Sequence, residues 1–208
     1  MILEQIAEQI KPLGLFVMGA FNDDEGGLVL IGADNTFWAA FAGSPEHLDG
    51  DRDPIDRWSK RHITALATEY EGTAMYPSDG PPYAPFIAWA LKTNRFWQSP
   101  TGMMVHDTAG LMISIRGAIR LPTPVEETAT QNPCDFCVDR PCADACPVSA
   151  LSLNALYDVP TCKAYLDTTA GDACMTVGCH VRTACPVSQS FNRENAQSAF
   201  HMQAFMGR

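Results

Sequence analysis

The first 133 residues of this 208-residue chain contain no cysteine; all eight cysteines lie between Cys134 and Cys185. Thiol chemistry is therefore excluded from the N-terminal two thirds and concentrated in the rest. No apolar run approaches the roughly 18 residues of a membrane-spanning helix, so no membrane span is expected. The N-terminus carries Glu4 and Glu8 where a signal peptide would carry a basic stretch, which points to a cytoplasmic protein. Basic residues are few, 14 Lys and Arg against 24 Asp and Glu, for a net charge of −10. Nucleic-acid binders neutralise phosphates with a basic face, so no nucleic-acid partner is expected. Neither low-complexity tracts nor repeats outside the cysteine segment are present. The 46% hydrophobic and 18% charged content is that of a folded globular chain.

The pattern predicts an α+β fold, with an N-terminal mixed or antiparallel sheet and helices over residues 1–122. Ile2, Leu3, Ile6 and Ile10 recur at helical spacing, and Pro12 and Gly14 mark the stop. Residues 14–21 and 28–33 are apolar runs either side of a turn, as in a buried hairpin. Asp53-Pro54 starts a helix, the Asp as capping acceptor, with a stripe of Ile55, Trp58, His62, Leu66 and Tyr70. The Pro- and Gly-rich residues 76–85 form a loop that feeds a helix through residues 86–92. Residues 111–120 alternate apolar and polar, and predict a strand that pairs with residues 103–106. Its Arg116 and Arg120 then point away from the packed face, either into solvent or towards an anionic ligand. Residues 123–133, just after Pro122, hold two further prolines and no apolar period, and read as a linker to residues 134–208.

Within that last part, Cys134, Cys137, Cys142 and Cys146-Pro147 form one run, and Cys174, Cys179 and Cys185-Pro186 form a second with Cys162 between them. In a reducing compartment such clustering favours metal ligation over disulfides. Structural zinc sites use paired C-x2-4-C knuckles across a longer spacer. This chain has one C-x2-C, two C-x4-C and two C-P endings, which favours iron-sulfur over zinc. Two-cluster ferredoxins use C-x2-C-x2-C-x3-C-P, in which the last cysteine ligates the other cluster. The first run matches once two residues are added to its second gap, where Arg140 and Pro141 lie. That logic gives Cys134, Cys137, Cys142 and Cys185 to cluster I, and Cys146, Cys162, Cys174 and Cys179 to cluster II. The similar sequences after Cys146 and Cys185 predict two equivalent helix starts at Pro147 and Pro186. The whole would be a small bacterial-ferredoxin-like domain with two 4Fe-4S clusters and a helical C-terminal tail.

The order of Cys146, the isolated Cys162 followed by Lys-Ala-Tyr-Leu, Gly178-Cys179 and Cys185-Pro186 resembles the iron-sulfur half of the epoxyqueuosine reductase and reductive dehalogenase group. That resemblance implies two 4Fe-4S clusters paired with a cobalamin-binding domain. Arg182 stands where the group has its middle cysteine, and Cys174 would take that place. Residues 76–122 are similar to the same enzymes and to cobalamin-processing proteins of the CblC type, whose core resembles the flavin nitroreductase fold. The N-terminal part would then be a reduced scaffold of that kind. His106 and Arg116 are its candidate cofactor contacts, with cobalamin or flavin as the candidate cofactor, and Asp79 lies near the reductase's proton-donating acid. The reductase's G-x-x-G-K run and helical-repeat tail are missing, which argues against action on modified tRNA.

Three functions follow as expectations. The first is an electron-transfer protein that passes single electrons through two clusters to a redox partner with a basic docking face. The second is a corrinoid- or flavin-dependent reductase whose clusters reduce a cofactor held by the N-terminal domain. The third is a redox or iron sensor in which cluster loss unfolds the tail.

Overall fold

The computed structural model describes residues 1–127, 129–152 and 156–208; residue 128 of the 123–133 stretch lies outside the described residues. In chain order the strands are β1 (Leu15–Asp23), β2 (Gly26–Ala33), β3 (Thr73–Met75), β4 (Phe96–Gln98), β5 (Met104–His106) and β6 (Ile115–Leu121). The helices are α1 (Ile2–Ile10), α2 (Phe37–Ala42), α3 (Pro45–Leu48), α4 (Pro54–Glu69), α5 (Phe86–Lys92), α6 (Val159–Leu166), α7 (Asp172–Thr176), α8 (His180–Ala184), α9 (Pro186–Phe191) and α10 (Asn195–Met206). This is a mixed α and β fold with an antiparallel sheet, as the sequence predicts. No helix among the described residues is long and apolar enough to cross a membrane.

The chain divides into two compact units. One comprises Met1–Phe96 with Ser114–Gln131, and the other Trp97–Ile113 with Asn132–Arg208. The residues just before β6 thus group with the cysteine segment, a division that differs from a single break at the proline-rich stretch.

The first unit is a four-stranded antiparallel sheet in the order β1-β2-β6-β3. The apolar runs predicted as a hairpin form it, with Leu28, Val29, Leu30 and Ile31 of the inner strand β2 fully buried. Ile6 and Ile10 of α1 are buried too, as their helical spacing requires. Phe37, Phe41 and Trp58 complete an aromatic wedge, with Phe37 edge-on to Trp58 at 5.2 Å between ring centroids. Each such burial stabilises by roughly 1.5–3 kcal/mol.

Several expectations shift. Asp53 does sit at the N-cap of α4, but with a left-handed backbone (φ 52°) rather than the extended one of a capping residue, and it makes no side-chain capping bond. The buried stripe of α4 also takes in Ser59, Ile63 and Ala67, while His62 is half-buried with its ring against Trp58 at 4.4 Å. Residues 103–106 do not pair with β6. Only a single bridge joins His106 to Gly110, β5 pairs with β4, and both edges of β6 are taken by β2 and β3.

Arg116 and Arg120 are not a solvated face: their side chains are 16% and 15% exposed. The register slips between Ile31 opposite Gly117 and Gly32 opposite Ile115, leaving Arg116 as the extra residue of a bulge. A bulge breaks the period of two and re-aims the side chain. Arg116 reaches Asp56 at 3.6 Å, and Arg120 binds Asp23 at 2.6 Å across the sheet.

The second unit combines the β4–β5 ribbon with short helices. Pro186 starts α9 as predicted, but residues 147–152 do not form the matching helix. Ser149 takes φ 52° and its N–H closes a turn on the Cys146 carbonyl, so the chain bends where a helix would continue. The C-terminal tail is helical (α10); its fully buried residues are Gln197 and Ser198, while Phe200, Met202, Phe205 and Met206 stay half-buried.

Candidate metal centres

All eight cysteines are free thiols. They line two separate cavities within the second unit, four to each. Cys134, Cys137, Cys142 and Cys185 line the first; Cys146, Cys162, Cys174 and Cys179 line the second. These are the two groups of four that the crossover spacing assigns.

The first cavity is built from a tight coil. Asn132 caps a short turn over Pro133–Asp135 by accepting the Cys134 N–H at 3.0 Å. The lengthened gap of the run is a turn in which Arg140 takes φ 41° and its carbonyl accepts from Ala143 N–H at 2.9 Å. That turn brings Cys142 back beside Cys134 and Cys137. Cys185 stands at the N-cap of α9, which is tied to residues 106–111 by the Leu111 N–H on Ser188 Oγ at 2.8 Å. Gly110 permits this approach: its φ is 57°, and a Cβ there would stand 2.4 Å from the Ser188 nitrogen. Val105, Leu111 and Val187 supply the apolar wall, with Arg140 as a cation at the rim.

The second cavity draws its cysteines from four places. Cys162 lies on α6, whose cap Asp158 accepts the Thr161 N–H at 3.0 Å. Cys174 lies on α7, and Gly178 at φ 112° reverses the chain so that Cys179 faces the same space. Cys146 comes from the first run. Leu151, Leu166, Val181 and Met202 close the cavity. Arg182, at the position of the missing family cysteine, instead donates to the Leu111 carbonyl.

Burial and neighbouring sulfurs act on four of these thiols. Burial pushes Cys134 up to about 11, with the charges of Cys142, Cys185 and Cys137 adding to it and Arg140 opposing. Cys142 is raised by burial and then by Cys185 and Cys137. Burial also raises Cys162, against a hydrogen bond from Tyr157, and Cys174, against the His180 N–H. Burial thus favours the neutral thiol at these four positions, and metal ligation there would require their deprotonation. Among the described residues, no three or more His, Cys, Asp or Glu side chains form a group that could hold a metal ion.

One apolar cluster backs both cavities. Val105, Leu111, Cys142, Leu151, Val181 and Cys185 form its buried centre, and Cys134, Cys146 and Cys179 pack against it. Cysteines of both sets therefore meet on a common wall.

Compared with known proteins, the chain matches no family model, no curated protein and no solved structure.

The other predicted site residues lie elsewhere. His106 is fully buried in β5, where its Nδ1 accepts from the N–H groups of Thr108 and Ala109, both at 3.1 Å. Arg116 is half-buried in the bulge of β6; desolvation pulls its pKa down, and its Nε has no hydrogen-bond partner among the described residues. Asp79 is half-exposed and ion-paired with Lys60. Sequence reasoning missed Tyr157, the His180 N–H and the cavity wall from Val105 and Leu111. Alternation marked Leu111 as inward-facing, which was a usable signal, whereas no spacing rule reaches from Tyr157 to Cys162.

Proposed function

We propose that this chain is an iron-sulfur electron-transfer protein carrying two 4Fe-4S clusters in a ferredoxin-like arrangement. The observation that carries the reading is the convergence of four cysteines on each of two cavities, each set completed by the C-P cysteine of the other run. Cys134, Cys137, Cys142 and Cys185 would hold cluster I, and Cys146, Cys162, Cys174 and Cys179 cluster II. When bound, each cluster takes up and releases one electron at a time.

The chain's own residues set the conditions for that exchange. Apolar side chains exclude water from both cavities. The His180 N–H beside Cys174 and the Tyr157 hydroxyl beside Cys162 favour the charged form of those sulfurs and oppose the upward push of burial. The shared wall of Leu151, Val181, Val105 and Leu111 keeps the two sets adjacent. The net charge of −10 suits a redox partner with a basic face.

Anaerobic purification followed by iron and acid-labile sulfide analysis tests the reading. Two four-iron clusters require about eight of each per chain, with paramagnetic signals on reduction by dithionite. A colourless protein containing zinc and no sulfide overturns it.

A further inference from the structure

We infer that the loop bearing Cys137 is the docking surface for the redox partner, and that it receives a protein whose apolar contact area is ringed by lysine or arginine. The inference rests on the iron-sulfur reading above and locates where electrons cross the protein surface. Phe136 is 68% exposed and Val138 92% exposed, and they stand immediately either side of Cys137. Large apolar side chains scattered singly on a surface are ordinary. Here two of them flank a cysteine that lines a four-cysteine cavity, so exposed apolar surface stands directly beside that set in the chain.

The charge around the pair selects the partner. Asp135, Asp139 and Asp144 are exposed on the same loop, and Arg140 is its one cation. Near the second set Leu156 and Val177 are also exposed, but a basic residue follows Cys162 (Lys163) and a histidine follows Cys179 (His180). An apolar centre with an acidic rim matches the anatomy of short-lived electron-transfer interfaces, which are small and steered by charge. At such a contact one electron leaves the reduced protein and reduces the partner's metal; no bond is made or broken.

The test uses the full-length protein and ferric cytochrome c, a lysine-rich redox protein, as the probe. Binding is measured by calorimetry at low and moderate salt, and electron transfer by stopped-flow reduction of the haem by the dithionite-reduced protein. The probe should bind and be reduced with a steep dependence on salt. The double substitution Phe136→Ser with Val138→Ser should weaken both by about tenfold or more, and Asp135→Asn with Asp139→Asn should flatten the salt dependence. Iron, sulfide and the rate with a small viologen mediator should not change. Wild-type binding and haem reduction in both variants, at normal iron content, overturn the inference. Absence of iron and sulfide from the wild type overturns the underlying reading instead, whatever the binding shows.

Discussion

The ring of Tyr157 stacks on Phe205 with centroids 6.4 Å apart, and Tyr157 lines the second cavity together with Cys162, whose thiol its hydroxyl pulls down against burial. A tyrosine outside every cysteine run thereby bears on one member of the second set.

Hydrogen bonds to ligand sulfur stabilise the more negative, reduced state and raise the reduction potential. Tyr157→Phe should lower the potential of cluster II. A hydrogen bond worth about 1 kcal/mol corresponds to a shift on the order of 40 mV for one electron. Paramagnetic resonance during a potentiometric titration should show one signal moving and the other staying; if neither moves, the hydrogen bond has no such role.

The crossover makes a sharp demand on single substitutions. Cys146→Ala, although within the first run, should remove the second centre and leave the first, roughly halving iron content from two four-iron clusters to one. Cys185→Ala should do the reverse. Equal loss of both signals with an unchanged far-UV circular dichroism spectrum would contradict the assignment.

Glu46 and Arg61 give a pH-dependent contribution in the first unit. Two bonds from Arg61, at 2.5 and 2.9 Å, hold the Glu46 carboxyl down at about 2. A depressed carboxyl contributes stability above its unfolded value near 4.5 and loses it as pH falls towards 2. Arg61 is half-exposed, so the pair should contribute about 1 kcal/mol at neutral pH. Denaturation of Glu46→Gln should show that deficit at pH 7 and converge with wild type between pH 4.5 and pH 2.

Ser188 is 2% exposed and accepts the buried Leu111 N–H. Ser188→Ala leaves that donor unsatisfied, at a cost of roughly 1–3 kcal/mol. Thermal melting should show the loss, and cluster I should release iron to a chelator sooner than cluster II.

Much of the first unit was legible because its signals are local. The runs around residues 14–33 declare strands by being apolar between turn residues, and Asp53-Pro54 marks the start of α4 to the residue. The failures share a cause, which is that pairing is decided by distant partners. Alternation over residues 111–120 cannot reveal that β6 is claimed on both edges, nor that a bulge turns Arg116 inward. The four-and-four grouping of the cysteines was readable because spacing constrains which sulfurs can converge. The surroundings of those sulfurs were not, since Tyr157, Val105 and Leu111 reach the cavities through the folded chain. The near-identity of the sequences after Cys146 and Cys185 misled for the same reason: Ser149 takes a left-handed conformation that its neighbours in sequence do not announce.

The interleaving of the two sets also fixes an order of completion during synthesis. Cys134, Cys137 and Cys142 leave the ribosome first, yet their cavity lacks a side until Cys185 emerges. The second set, begun later at Cys146, is complete once Cys179 has appeared. The cavity whose cysteines begin first in the chain is thus the last to gain its fourth, and a nascent chain stalled between Cys179 and Cys185 would have all four cysteines of the second set and three of the first.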